Sequence, residues 1–235
     1  MGAGRKISTA IGMEIKAVTF DVGGTLIEPW PSVGHVYADV AARHGVDVGA
    51  DILNARFRSA WSARKSFEHS RAGWEELVDE VFLGLCKPPR ETFFAKLYDR
   101  FSESGAWRVY DDVVPALDAL ASRGIKLAVI SNWDERLRGL LRVLGLDRYF
   151  EAFAISCETG FPKPSPVIFE QAAIKLGLSA DAILHVGDSA EMDVAAARAA
   201  GLHALRIDRS QAECEKDTLL SLAELPAKIG SNPKV

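Results

Sequence analysis

Short runs of apolar and β-branched residues recur along the chain, separated by stretches with helical period. One run covers residues 15–20, and others cover 126–130, 152–155, 183–186 and 203–207. The stretch 136–144 sets its leucines on one helical face, and 167–176 repeats the pattern behind Pro164 and Pro166. Residues 193–200 are alanine-rich and closed by Gly201. Strands alternating with helices predict βαβ units, hence an α/β fold with a mostly parallel sheet.

One interval breaks the rhythm. Between the first and second runs lie about a hundred residues with no convincing strand, reading as helices at 33–44, 50–66, 74–85 and 90–101. A further helix at 113–122 leads back toward the sheet. A parallel crossover needs only about a dozen residues, so the surplus predicts a separate helical cap. The expected division is a leader at 1–13, a core at 14–29 and 108–210, a cap at 30–107, and a C-terminal helix and tail at 211–235. The last apolar helix is expected at 219–229.

Composition narrows the function classes. A net charge of −4 gives no electrostatic case for nucleic acid or an anionic membrane as partner. No apolar run approaches the roughly 20 residues that span a bilayer. The leader lacks the apolar stretch of a secretory signal, and Lys6 breaks the myristoylation pattern that Gly2 would open. Cys86, Cys157 and Cys214 are odd in number and widely spaced, so neither a disulfide framework nor a zinc site is drawn from them. A reducing cytoplasm is the expected compartment.

In an open parallel sheet, ligands bind at the carboxyl ends of the strands. After the first strand comes Asp21-Val22-Gly23-Gly24-Thr25, and after the second Ser131-Asn132-Trp133. Lys163 follows the third, and Gly187-Asp188 follows the fourth, with Asp193 five positions on. Taken singly, an aspartate after a strand is an ordinary turn former or helix cap. Together they set carboxylates, a hydroxyl and a lysine on one rim. Asp21 can attack a phosphoryl group, and a divalent cation, Mg²⁺, would hold that anion beside an anionic substrate. Asp21, Asp188 and the Gly23 carbonyl are its expected ligands. Amides of Gly23 and Gly24, with Thr25, Ser131, Asn132, Trp133 and Lys163, are the expected contacts to the phosphate, and Asp193 supports Lys163 or metal-bound water.

These residues resemble the four signature motifs of the haloacid dehalogenase-like superfamily: Asp21 to Thr25, Ser131, Lys163, and Gly187 to Asp193. The stretches VISNWDERL and PKPSPVIFEQA look most like the subgroup that holds domain-containing protein 3 and the rhythmically expressed REG-2-like proteins. The resemblance implies a Rossmann-like core with strand order 5-4-1-2-3 and a C1-type cap inserted after the first strand. It also implies a Mg²⁺-dependent phosphomonoesterase that turns over a small phosphorylated molecule through an aspartyl-phosphate on Asp21. It says nothing of oligomeric state.

One position departs from the family pattern. Its phosphatases carry an acid–base aspartate two residues after the nucleophile, and here that residue is Gly23. Positioned acid–base catalysis contributes roughly 10² to 10⁴-fold, so a slow phosphatase is expected. Glu28 or His35 would be the surrogate acid, and an aspartate put at position 23 should raise turnover unless φ there is positive. Two other readings stand beside this one. One is a non-catalytic phosphate or metabolite binder on the same fold, and the other is a hydrolase of C–X or C–P bonds. A hydrolase of C–P bonds would, by the same resemblance, draw on a cap lysine among Lys65, Lys87 and Lys96. The cap tryptophans, Trp30, Trp61, Trp74 and Trp107, are expected chiefly in its core, whereas Trp133 borders the phosphate site.

Overall fold

The computed structural model describes residues 14–64, 67–85, 90–210 and 217–229. The leader, Lys65, Lys87, Cys86 and Cys214 lie outside them, while Cys157 is free and exposed.

The core begins with β1 (Ala17–Phe20), buried along its whole length. A short β2 (Ile27–Pro29) leads into helices α1 (Val33–Arg43), α2 (Ala50–Ser62), α3 (Arg71–Phe82) and α4 (Arg90–Arg100), and β3 (Trp107–Val109) brings the chain back. Then follow α5 (Val113–Ala121), β4 (Lys126–Ser131), α6 (Leu137–Val143), β5 (Ala152–Ile155), α7 (Ser156–Thr159) and α8 (Pro166–Leu176). β6 (Ile183–Gly187), a π-type turn at Ala190–Ala195, α9 (Ala196–Ala199), β7 (His203–Ile207), β8 (Thr218–Leu219) and α10 (Leu225–Lys228) complete it.

The main sheet has the order β5-β4-β1-β6-β7-β8 with every pairing parallel. In sheet-strand sequence this is 3-2-1-4-5-6, so the expected five-strand order acquires a sixth strand at one edge. That strand corrects the tail: Thr218 and Leu219 pair with Arg206 and Ile207 instead of joining a helix from 219. The helical turns start only after Ser221, which forms a capping box with Glu224. Strands buried on both faces read as unbroken apolar runs, which is why β1, β4 and β6 stood out in the sequence.

The interval expected to lack strands does contain two. β2 and β3 pair antiparallel, Glu28 opposite Arg108, and form the stem from which the four helices project. Val36, Tyr37, Leu53, Leu77, Phe82 and Leu97 belong to an apolar cluster of the inserted helices. Two further clusters flank the main sheet, and Trp107 on the stem packs against both the insert's cluster and one of these. No helix among the described residues is long and apolar enough to cross a membrane.

Candidate active site

The parallel sheet delivers β1, β4 and β6 to one rim, and their following residues meet there. Ser131 Oγ donates to Asp21 Oδ1 at 3.0 Å, and Lys163 Nζ donates to the same oxygen at 2.7 Å. Lys163 also reaches Asp193 Oδ1 at 2.5 Å. All four side chains are buried. An unpaired ammonium would not survive there, but two carboxylates raise the Lys163 pKa against the opposing effect of burial. Burial raises the Asp21 pKa, and Lys163 works against that rise. Lys163 holds the Asp193 carboxyl well below the usual range despite burial.

Two residues absent from the sequence reading support this arrangement. His185 Nε2 lies 3.1 Å from Asp193 Oδ1, and its Nδ1 lies 2.9 Å from Thr19 Oγ1. A carboxylate only accepts, so Nε2 carries a proton; in the neutral ring, Thr19 then donates to Nδ1. Thr19 and His185 are opposite each other in the β1–β6 register, and both are fully buried. The other Asp193 oxygen accepts from the Ser189 amide at 3.0 Å. Gly187 makes room for this, because a Cβ there would lie 2.2 Å from Asp193 Cγ.

Asp188 differs from these paired groups: it is exposed, and among the described residues no cationic side chain forms an ion pair with it. Carboxylate oxygens of Asp21, Asp188 and Asp193 all lie within 4.8 Å of one another. Desolvation, then repulsion from Asp21 and Asp193, pushes the Asp188 carboxyl up to about 7. Negative charge therefore exceeds what Lys163 offsets, and oxygen donors fit a hard divalent cation. Asp193 has both oxygens in use, and the Asp21 hydrogen bonds fall on Oδ1 alone. Asp21 and Asp188 thus have the freer carboxylate oxygens, and Asp193 braces Lys163.

The turn after β1 narrows the expected phosphate contacts. Gly24 is left-handed (φ 75°), and a Cβ on it would strike Asp188 Oδ2 at 2.5 Å. Its N–H is used on the Ile27 carbonyl at 2.8 Å, so only Gly23 of the pair can offer an amide to an anion. Thr25 is fully buried and does not line the cavity. Asn132 braces Lys163: its Oδ1 accepts from the Lys163 amide at 2.7 Å, and its Nδ2 donates to the Lys163 carbonyl at 2.9 Å. It positions the lysine and also lines the cavity.

Above the rim lies a cavity of about 840 Å³ between the core and the inserted helices. Asp21, Gly23, Ser131, Lys163 and Asp188 form its floor, and aromatic rings of the insert form much of its wall. Trp61, Trp74, Trp107 and Trp133 all face it, so three of the four cap tryptophans do more than fill a core. Trp30 does not; it stacks under Arg108 at 3.9 Å. Neither expected surrogate acid reaches the cavity. Glu28 is held by Arg108 across the stem, and His35 pairs with Ser32 Oγ at 2.8 Å. Lys96 is exposed and also off the wall. His69 is on it, in a segment without periodicity that gave the sequence reading no signal.

The loop after β4 also ties the core to the insert. Asp134, fully buried, accepts from Arg136 Nε at 2.8 Å and from Trp74 Nε1 of α3 at 2.8 Å. Arg136 donates to the Tyr98 carbonyl of α4 at 2.8 Å and lies 3.5 Å over the Tyr98 ring. Tyr98 donates its hydroxyl to Glu135 at 2.9 Å.

Comparison with known proteins agrees with this geometry. Residues 15–201 match the haloacid dehalogenase-like hydrolase family. The human haloacid dehalogenase-like hydrolase domain-containing protein 3 is 34% identical over 212 residues, covering 85% of this chain and 84% of that protein. A glyceraldehyde 3-phosphate phosphatase of Methanopyrus kandleri is 34% identical over 206 residues, covering 84% and 85% of the two chains. A crystal structure described as a HAD phosphatase from Thermococcus onnurineus superposes with a TM-score of 0.69 at 26% identity. It covers 92% of this chain and 99% of that one.

Proposed function

The chain belongs to the haloacid dehalogenase-like hydrolases, and from that premise we propose that it is a Mg²⁺-dependent phosphomonoesterase of small phosphorylated molecules, with Asp21 as nucleophile. The observation that carries this reading is the pair of carboxylates on one rim, one braced and one uncompensated. Asp21 Oδ1 is fixed by Ser131 and Lys163, which orients the carboxylate on the rim. Asp188 beside it lacks an ion-pair partner among the described residues. Relatives named as phosphatases support the same reaction class.

Asp21, Asp188 and the Gly23 carbonyl would hold Mg²⁺, which supplies charge neutralisation between nucleophile and phosphate when bound. Lys163, with three N–H donors, would bind a non-bridging oxygen while keeping the Asp21 carboxylate ionised and oriented, and Ser131 would turn its single O–H from Asp21 to the phosphate. The Gly23 amide adds a donor. Attack by Asp21 forms an aspartyl-phosphate, and water then cleaves it at phosphorus. Asn132, Asp193, His185 and Thr19 hold Lys163 in place for both steps. The partner in this reading is a small phosphorylated molecule, with no nucleic acid or membrane, and the compartment is the cytoplasm.

Steady-state hydrolysis of phosphate monoesters tests the reading. Turnover should require Mg²⁺ and be abolished in Asp21→Asn, whose amide is a poor nucleophile and a neutral ligand. Undiminished turnover by that variant removes Asp21 from the mechanism. Tight phosphate binding with no turnover of any ester would make the protein a binding module.

A further inference from the structure

We propose that the substrate is the phosphate monoester of a bulky, uncharged aromatic alcohol, an aryl phosphate, whose ring lies against Trp133. This rests on the phosphomonoesterase reading and narrows its substrate. Three features of the cavity carry it.

The first is that the described wall residues of the inserted helices include no carboxyl, and position 23 has none. Position 23 has no side chain, and a Cβ there would meet Trp133 Cζ3 at 3.3 Å, a tight contact that the ring would have to yield to relieve. Trp133 is backed by Trp107, with ring centroids 5.3 Å apart. The acidic residues on the wall, Asp21, Asp188, Glu191 and Asp193, come from the end of β1 and the segment after β6. His69 faces the cavity from the insert, but burial, opposed only partly by Asp134, lowers its pKa to about 4. It is neutral near pH 7 and has no acidic proton to give.

The second feature is the character of the wall. The cavity, about 840 Å³, lies toward the upper end of ordinary ligand sites, larger than a phosphate with a two- or three-carbon chain requires. Its wall beyond the phosphate floor includes Trp61, Phe67, Trp74, Tyr98, Trp107 and Trp133. Flat faces of this kind favour a flat apolar guest.

The third is charge. Each described cation on the wall already has a carboxylate. Lys163 has Asp21 and Asp193, Arg136 has Asp134, and Arg64 has Glu80 at 2.8 Å. A second phosphate or a carboxylate on the substrate would find no cation without a carboxylate partner among the described residues of the wall.

These features select the leaving group chemically. Asp21 attacks phosphorus, the P–O(aryl) bond breaks, and its electron pair leaves on the aryl oxygen. A phenolate leaves unaided far more readily than an alkoxide, since a phenol has a pKa of about 10 and water about 15.7. Water then attacks phosphorus, the bond to Asp21 breaks, and inorganic phosphate is released. The proton lost by that water balances the one the phenolate takes from solvent.

The test uses the wild-type protein with Mg²⁺ and two matched pairs: phenyl against cyclohexyl phosphate, and 1-naphthyl phosphate against glycerol phosphate. The expected kcat/KM is at least about tenfold higher for the aryl member of each pair, because no acid compensates the poorer leaving group. Among substituted phenyl phosphates, the rate should rise with the acidity of the phenol. Trp133→Ala should raise KM for the naphthyl ester more than for the phenyl ester. Cyclohexyl or glycerol phosphate turned over as fast as its aryl partner overturns the inference while leaving a phosphomonoesterase in place. Failure to hydrolyse any of the four overturns the proposed function, and this inference with it.

Discussion

Replacing Asp134 should loosen the inserted helices from the core, and its contacts set the size of the effect. The carboxylate is fully buried and serves Arg136, whose side chain is 10% exposed, together with the Trp74 indole N–H at 2.8 Å. Removing one partner of a buried ion pair strands the other and costs about 3–5 kcal/mol. Arg136 retains the Tyr98 carbonyl and ring, so Asp134→Ala falls at the low end, about 3 kcal/mol. For a chain of this length, 1 kcal/mol moves Tm by about 2–4 °C, so a fall of about 6–12 °C is expected. Trp74→Phe keeps the ring and removes only the N–H, a bond to a charged acceptor worth about 1.5–3 kcal/mol. Denaturant unfolding of both single variants and the double variant isolates the contact. The two effects should fall short of additivity by about 1.5 kcal/mol, since the second change removes a bond already broken. Additivity to within about 0.5 kcal/mol would show that the indole–carboxylate bond does not join insert to core.

Three further outcomes follow from the site. Mg²⁺ should raise Tm, and the rise should vanish in Asp188→Ala; a surviving shift would put the cation elsewhere. The rise should be larger at pH 8 than at pH 6. Asp188 is pushed up to about 7, so its contribution without a cation is present below the unfolded value near 4 and lost as pH rises through about 7. Mg²⁺ binds the ionised form, and an equal or larger shift at pH 6 would contradict this. Gly23→Asp alone should gain little, because Trp133 stands 3.3 Å from the new Cβ, whereas Gly23→Asp with Trp133→Ala should gain more on alkyl esters. A tenfold gain, about 1.4 kcal/mol, from Gly23→Asp alone would show that the ring yields freely.

The rim was legible because a parallel sheet sends every strand's carboxyl end the same way. Asp21, Ser131 and Asp188 could be placed from strand positions before any contact was known. The stem strands were not legible: three residues each, one ending in Pro29, are too short for a period-2 pattern. Without the stem, the pairing of Glu28 with Arg108 was invisible, and Glu28 passed for a free acid. Thr19 and His185 did leave a signal. Each is a polar residue in an otherwise apolar strand, and a buried polar group needs a partner. The crowding of Gly23 by Trp133 left none, because the direction of a loop side chain is set by packing. The expected risk at position 23 was backbone strain, yet the left-handed residue is its neighbour Gly24.

Acid quenching during turnover of an aryl phosphate, followed by peptide mapping, tests the central claim most directly. The phosphoryl group should be found as an acyl phosphate on the peptide carrying Asp21, and it should disappear in Asp21→Asn. Sustained turnover with Asp21 unmodified at every quench time, under conditions that preserve acyl phosphates, would contradict a nucleophilic role for this residue.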